Sequence, residues 1–190
     1  AQPLGQVPSC ASLDPGSDTL TQIPFQSEFE VQLSQEGRQR ICVWLLDDAG
    51  HRSDVKSQQV FLDTKAPPKP SLGINGVNAN DPASTFLNEP RLSLTISAGA
   101  AGDGSDSDSG LYQAKISSGG ACIGGSWFDW TGNPAMQVSH LVGAGDGVIQ
   151  EVSVEVKDAA GNVSECQNAV VYIDTVPMEI ARFDARGADA

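Results

Sequence analysis

The segment from Gly102 to Gly110 carries the residues best suited to hold a cation, because Asp103, Asp106 and Asp108 alternate there with Gly and Ser. Calcium takes about six to eight hard oxygen ligands, which closely spaced carboxylates on a flexible loop can supply. The spacing is not that of an EF-hand loop, which would need a central glycine and a closing glutamate. The alternative is a solvated loop whose charges keep the surface soluble.

A second group with chemical potential is the aromatic run Trp127-Phe-Asp-Trp130. Flat aromatic faces suit the apolar faces of sugar rings, so Trp127 and Trp130 are candidate glycan-binding residues. Side chains alternate along an extended strand, which places Trp127 with Asp129 on one face and Phe128 with Trp130 on the other. One of these faces is expected to pack in a core, so the alternative for at least one tryptophan is a structural role.

The groups that most enzymes need are missing from the sequence. The two histidines, His51 and His140, accompany no G-x-S-x-G, H-E-x-x-H or Walker motif. The carboxylates lie in Gly/Ser-rich loops without an apolar pocket to raise one pKa. We therefore expect a protein without catalytic activity.

Composition limits the partners of the chain. The 190 residues include 11 basic and 24 acidic ones, giving a net charge of −13, and 39% of them are hydrophobic. Such a chain can build the core of one domain or of two small ones. Phosphate backbones and anionic lipid surfaces would repel it, which argues against nucleic acid and polybasic membrane docking. Apolar runs such as Ile41–Leu46 have the length of strands, so no membrane span is expected.

Apolar residues recur with the period of β-strands rather than of helices. Val152, Val154 and Val156 alternate with polar residues, and the segment Phe29–Leu33 shows the same pattern. The turn Asp158–Asn162 joins two such runs through a glycine and two side chains that can bond to nearby backbone. These patterns predict an antiparallel β-sandwich. The strands expected in its complete part lie near 71–75, 91–98, 111–117, 121–128, 136–142, 150–157 and 168–174.

The chain contains an internal repeat with an offset of 111 residues. Residues 47–64 read DDAGHRSDVKSQQVFLDT, and residues 158–175 read DAAGNVSECQNAVVYIDT. The period equals the size of a small β domain. The identical pairs are Asp47/Asp158, Ala49/Ala160, Gly50/Gly161, Ser53/Ser164, Val60/Val171, Asp63/Asp174 and Thr64/Thr175.

The run V-x-V-x-D-A-A-G-N-V-S, followed by V-x-I-D-T, resembles bacterial immunoglobulin-like (Big-type) repeat domains of large secreted or cell-surface adhesin-like proteins. The segment Asp108–Tyr112 resembles another part of their pattern. The resemblance covers residues 70–175 well and 28–66 fairly. It implies an all-β protein of tandem immunoglobulin-like antiparallel sandwiches.

On this basis we expect three segments. Residues 1–65 form the C-terminal part of an incomplete domain, residues 66–175 a complete domain, and residues 176–190 a linker with the first strand of a following domain. The simplest explanation is an excerpt from a longer array. The alternative is that residues 177–185 donate a strand to the incomplete domain of a neighbouring copy.

The four cysteines lack C-x-x-C spacing, and their even number in this acidic chain favours disulfides and an oxidising compartment over buried cytosolic thiols. Four cysteines allow three connectivities. One bridge per repeat gives Cys10–Cys42 and Cys122–Cys166. Cys10 and Cys122 have nearly the same repeat position, whereas their partners do not.

A sandwich of this kind places the loop between its second and third strands beside its last hairpin, where the chain enters. A calcium ion could then lie between domains and stiffen their junction. The predicted carboxylate ligands are Asp63, Asp103, Asp106, Asp108 and Asp158.

These observations predict a non-enzymatic structural or adhesive module, secreted or at the cell surface, that acts as a spacer, stalk or filament element. The alternative is a calcium- or carbohydrate-binding recognition domain, and a third is an accessory domain of a secreted hydrolase. Neighbouring immunoglobulin-like domains, strand-donating copies, and a host or surface glycan or protein are the expected partners. No cofactor is expected other than Ca²⁺.

Overall fold

The chain divides into two compact units, Ala1–Thr64 and Lys65–Ala190. The structure is a computed structural model that describes Cys10 and residues 21–78, 86–98, 109–132, 135–143 and 145–179. Within these residues there are strands, turns and one 3₁₀ turn, and no α-helix. The predicted all-β fold class is therefore confirmed.

The first unit contributes one antiparallel hairpin, and the second contributes the other strands. The hairpin consists of β1 (Gly37–Val43) and β2 (Lys56–Leu62). The second unit contains β3 (Ser71–Ile74), β4 (Val77–Asn78), β5 (Phe86–Leu87), β6 (Arg91–Ser97), β7 (Leu111–Ser118), the 3₁₀ turn Gly120–Cys122, β8 (Ser126–Asp129), β9 (Ala135–Leu141), β10 (Val148–Asp158) and β11 (Gln167–Ile173).

The second unit is a sandwich of two sheets with an immunoglobulin-like strand order. One sheet has the order β5-β11-β10-β7-β8 and the other β4-β3-β6-β9. All pairings are antiparallel except that of β5 with β11. Alternate residues of both sheets point inward and close the core, as period-2 patterning requires. The fully buried inward side chains include Ile74, Leu92, Leu94, Ile96, Val152, Val154, Val156 and Val171.

Two predicted strands differ from the structure. Phe29–Leu33 alternates like a strand but forms none, and Phe29 and Val31 are exposed. Strands need partners for their backbone groups, and no described strand pairs with this segment. The strand predicted at 121–128 begins only at Ser126, because Cys122 and the residues around it have positive φ and form a turn.

The hairpin β1–β2 and the hairpin β10–β11 have the same register at the repeat offset. Gly37 pairs with Leu62 in the first, and Val148 pairs with Ile173 in the second. The isolated bridges beyond the strand ends follow the same rule: Leu46↔Arg52 corresponds to Lys157↔Val163. The repeat seen in the sequence is thus a repeat of backbone pairing.

Candidate functional site

The turn of each repeated hairpin is built around one aspartate. Asp158 Oδ1 accepts a hydrogen bond from the Asn162 backbone N–H at 2.8 Å, and Asp158 Oδ2 accepts one from the Asn162 Nδ2 at 2.8 Å. Asp47 Oδ1 accepts from the His51 backbone N–H at 2.7 Å, and Asp47 Oδ2 lies 2.9 Å from His51 Nδ1. These bonds close a tight loop in which glycine takes positive φ.

The environments of these two aspartates differ. The Asp47 side chain is 56% exposed, and its hydrogen bond to the His51 side chain lowers the pKa of its carboxyl group. Asp158 has no exposed surface. Its two carboxylate oxygens are already engaged in the turn, as the residue type and spacing of the motif require.

A serine of the repeat secures the other side of each turn. Ser164 Oγ accepts a hydrogen bond from the Val156 N–H at 3.0 Å, and its backbone N–H donates to the Val156 carbonyl. Ser53 makes the same two contacts with Leu45. The repeated residues Asp, Gly and Ser therefore have structural roles in both turns.

The predicted calcium ligands lie only partly in the described chain. Asp103, Asp106 and Asp108 lie outside the described residues. The loop that follows them contacts the last hairpin, because the Ala159 N–H donates to the Gly110 carbonyl at 3.0 Å. Asp63 belongs to the first unit and is buried.

Metal-binding potential is low in the part of the chain that the structure covers. Among the described residues no group of three or more His, Cys, Asp or Glu side chains has the arrangement of a metal site. The calcium site at the domain junction stays a prediction.

The two disulfides are Cys10–Cys42 and Cys122–Cys166, which are the pairs predicted. Cys42 lies on β1 at the position that Ser153 occupies on β10, 111 residues later. Ser153 is buried, donates to the Gly119 carbonyl and accepts from the Cys122 N–H. The sequence did not point to Ser153. Its signal is that it occupies the repeat position of a disulfide-bonded cysteine.

The two tryptophans of the aromatic run face opposite sides of the second sandwich, as alternation predicts. Trp130 packs against the core cluster together with Phe128. Trp127 lies on the outer face, where the Lys157 Nζ is 4.4 Å and the Lys115 Nζ 5.1 Å from its ring centroid. The structure thus separates the two candidate glycan-binding residues, and only Trp127 lies on a solvent-facing sheet surface.

The last titratable group of note is His140 on β9. Its Nε2 lies 2.9 Å from the Ser118 Oγ of the opposite sheet, and burial lowers the pKa of its imidazole. The pair joins the two sheets at one edge. Nothing orients the second ring nitrogen, as a catalytic serine–histidine pair would need.

Comparisons with known proteins give a likeness of fold only. No family model matches the chain, and no curated protein matches it in sequence. Among solved structures, the fibronectin(III)-like modules of Clostridium thermocellum CbhA are similar, with 19% identity and a TM-score of 0.42. The match covers 80% of this chain and 70% of that chain. No described helix has the length and hydrophobicity needed to cross a membrane.

Proposed function

We propose that this chain is a structural module of immunoglobulin-like repeats, of the bacterial type that its sequence resembles, and that it serves as a spacer or stalk element. The observation that carries the proposal is the repeated hairpin. Strand register, terminal bridges and turn hydrogen bonds recur at one offset of 111 residues. Chains built from repeated sandwich units hold other domains at a defined distance, and their surfaces need no catalytic groups.

The proposed location is the cell surface or the medium. Two disulfides support it, because such bonds persist in oxidising compartments and are rare in the reducing cytosol. The test is fractionation of the producing cells with blocking of free thiols before lysis. We expect the protein outside the cytoplasm with all four cysteines oxidised. Recovery of the protein in the cytosol with free thiols would contradict the proposal.

The first unit supports a second candidate role, in which a neighbouring copy donates a strand. Leu45 is 53% exposed, although Val156 at the corresponding repeat position has no exposed surface. Phe61 is also exposed. A donated strand with alternating apolar side chains would cover this face. Of the segment 177–185 proposed as donor, residues 180–185 lie outside the described residues.

Light scattering coupled to size-exclusion chromatography distinguishes the two roles. A strand-donating subunit forms polymers whose mass rises with protein concentration, whereas a spacer segment keeps the mass of one chain. Calcium is tested in the same setting by isothermal titration at millimolar concentration. Absence of binding heat would remove the proposed calcium junction and leave the spacer role intact.

A further inference from the structure

The outer face of the five-stranded sheet carries an ordered row of polar side chains beside Trp127. Asp129 on β8, Gln113 on β7 and Lys157 on β10 are register partners in sequence across three adjacent strands. With about 4.8 Å between strands, the row is roughly 10 Å long. Trp127 is two residues from Asp129 and therefore lies on the same face. We call these four residues the Trp127 face.

The indole of Trp127 is held in place by its neighbours. Lys157 and Lys115 both place their ammonium groups within cation–π distance of the ring. Lys115 in turn forms an ion pair with Glu155, and both of these side chains are largely buried, with 16% and 14% exposed. An aromatic ring fixed in this way loses little conformational entropy when a flat ligand stacks on it.

The charges around the ring cancel. Lys115 and Lys157 are balanced by Glu155 and Asp129, and the chain as a whole carries a net charge of −13. A polyanionic ligand therefore gains no net attraction here and is repelled at longer range. A polycation would meet two lysines beside the ring. The face consequently suits an uncharged ligand.

The hydrogen-bonding groups of the face match hydroxyl groups. The exposed Asp129 carboxylate accepts, the Lys157 ammonium donates, and the half-buried Gln113 amide does both. Neighbouring hydroxyls of a sugar ring both donate and accept, and the apolar face of the ring stacks on indole. We propose that the Trp127 face binds a neutral polysaccharide, with the sugar ring on Trp127 and its hydroxyls on Asp129, Gln113 and Lys157. This site is additional to the spacer role and does not depend on it.

Affinity gel electrophoresis of the full chain tests the proposal. The native gels contain hydroxyethyl cellulose, galactomannan or dextran as neutral probes and polygalacturonate as the anionic probe. We expect retardation by at least one neutral polysaccharide and none by polygalacturonate. The substitution Trp127→Ala should raise the apparent dissociation constant at least about tenfold. Trp127→Phe, which keeps a ring, should cause a smaller loss.

Two further variants separate binding from folding. Asp129→Asn changes an exposed side chain and should weaken binding without altering the thermal melting of the protein. Trp44→Phe is the matched control, because Trp44 also lies under a cation, with the Arg52 guanidinium carbon at 5.6 Å, and belongs to the other unit. Its retardation should equal that of the unsubstituted protein.

Three results would overturn the proposal. One is the absence of retardation in all three neutral gels. Another is retardation that Trp127→Ala and Asp129→Asn leave unchanged. The third is retardation confined to polygalacturonate, which would show an anion-binding surface instead. None of these results bears on the cellular location or thiol state by which the spacer role is tested.

Discussion

The hairpins β1–β2 and β10–β11 are two copies of one local design in different surroundings. They share register, terminal bridge and turn bonds, yet the inward positions of the second are sealed in a sandwich while those of the first remain partly exposed. Val156 and Leu45 show the contrast most clearly. Turn residues and strand pairing therefore specify the hairpin locally, whereas burial is provided by the facing sheet.

The hairpins also differ in how a neighbouring turn is fastened to their outer face. At one repeat position, β1 carries Cys42 in a disulfide, and β10 carries Ser153 with two hydrogen bonds to the turn at Gly119–Cys122. A covalent bond and a pair of hydrogen bonds thus occupy equivalent places. The second unit adds its disulfide elsewhere, between that turn and the start of β11.

The largest expected difference follows from removing each disulfide. Replacing Cys10 and Cys42 by Ala should abolish protection of β1 and β2, because a two-stranded hairpin alone is marginally stable. Replacing Cys122 and Cys166 by Ala should cost about 4 kcal/mol by loop entropy while the second sandwich stays folded. Hydrogen exchange read by mass spectrometry measures both. Persistent protection of β1 and β2 without their disulfide would contradict the comparison.

Truncation of equivalent inward side chains should have unequal effects. Val156→Ala removes buried methyl groups and should lower the free energy of unfolding of the second unit by about 2 kcal/mol. Leu45→Ala removes more atoms but from a half-exposed site, and should cost less than about 1 kcal/mol. Hydrogen exchange of the two hairpins gives each value. Equal losses would mean that the face of the first hairpin is covered in solution.

The two turn aspartates offer a third comparison. Asp158→Ala leaves buried donors of Asn162 without their acceptor and should cost about 2 kcal/mol. Asp47→Ala should cost clearly less, since water replaces the lost bonds at an exposed turn. Thermal melts of the two variants at pH 7 rank the effects, with Asp158→Asn as the control that retains one acceptor. A larger loss for Asp47→Ala would reverse our assignment of burial.

The smallest expected effect concerns pH. Burial lowers the pKa of His140, so the unfolded chain binds its proton more readily than the folded one. The stability that neutral His140 contributes is present above the ordinary pKa of about 6.5 and declines as the pH falls below it. His140→Gln should flatten the melting temperature between pH 7.5 and 5.5. His51→Gln, the control at an exposed turn, should leave that slope unchanged.

Local sequence was sufficient to predict the repeated hairpins and the central strands. Their signals are short-range: alternating apolar residues and a turn motif in which aspartate, glycine and serine each satisfy a specific backbone requirement. The side on which Trp127 lies follows from the same alternation. The pairing of the four cysteines followed from assigning one bridge to each repeat.

Long-range features were not predictable in this way. Phe29–Leu33 has the alternation of a strand, but alternation does not supply a pairing partner. The two-residue strand β5 is too short to leave a pattern, and it exists because β11 offers a free edge. The polar row on the Trp127 face depends on the register of three strands. Neighbours in that row are distant in sequence.

The Cys122–Cys166 bridge has a consequence for a chain held under tension at its two ends. It spans 44 positions. If the second sandwich were pulled apart, the enclosed stretch could not be drawn out, which withholds about 150 Å of slack at roughly 3.5 Å per residue. A tether made of such units would lengthen in short steps and would keep its load close to the place where it was set.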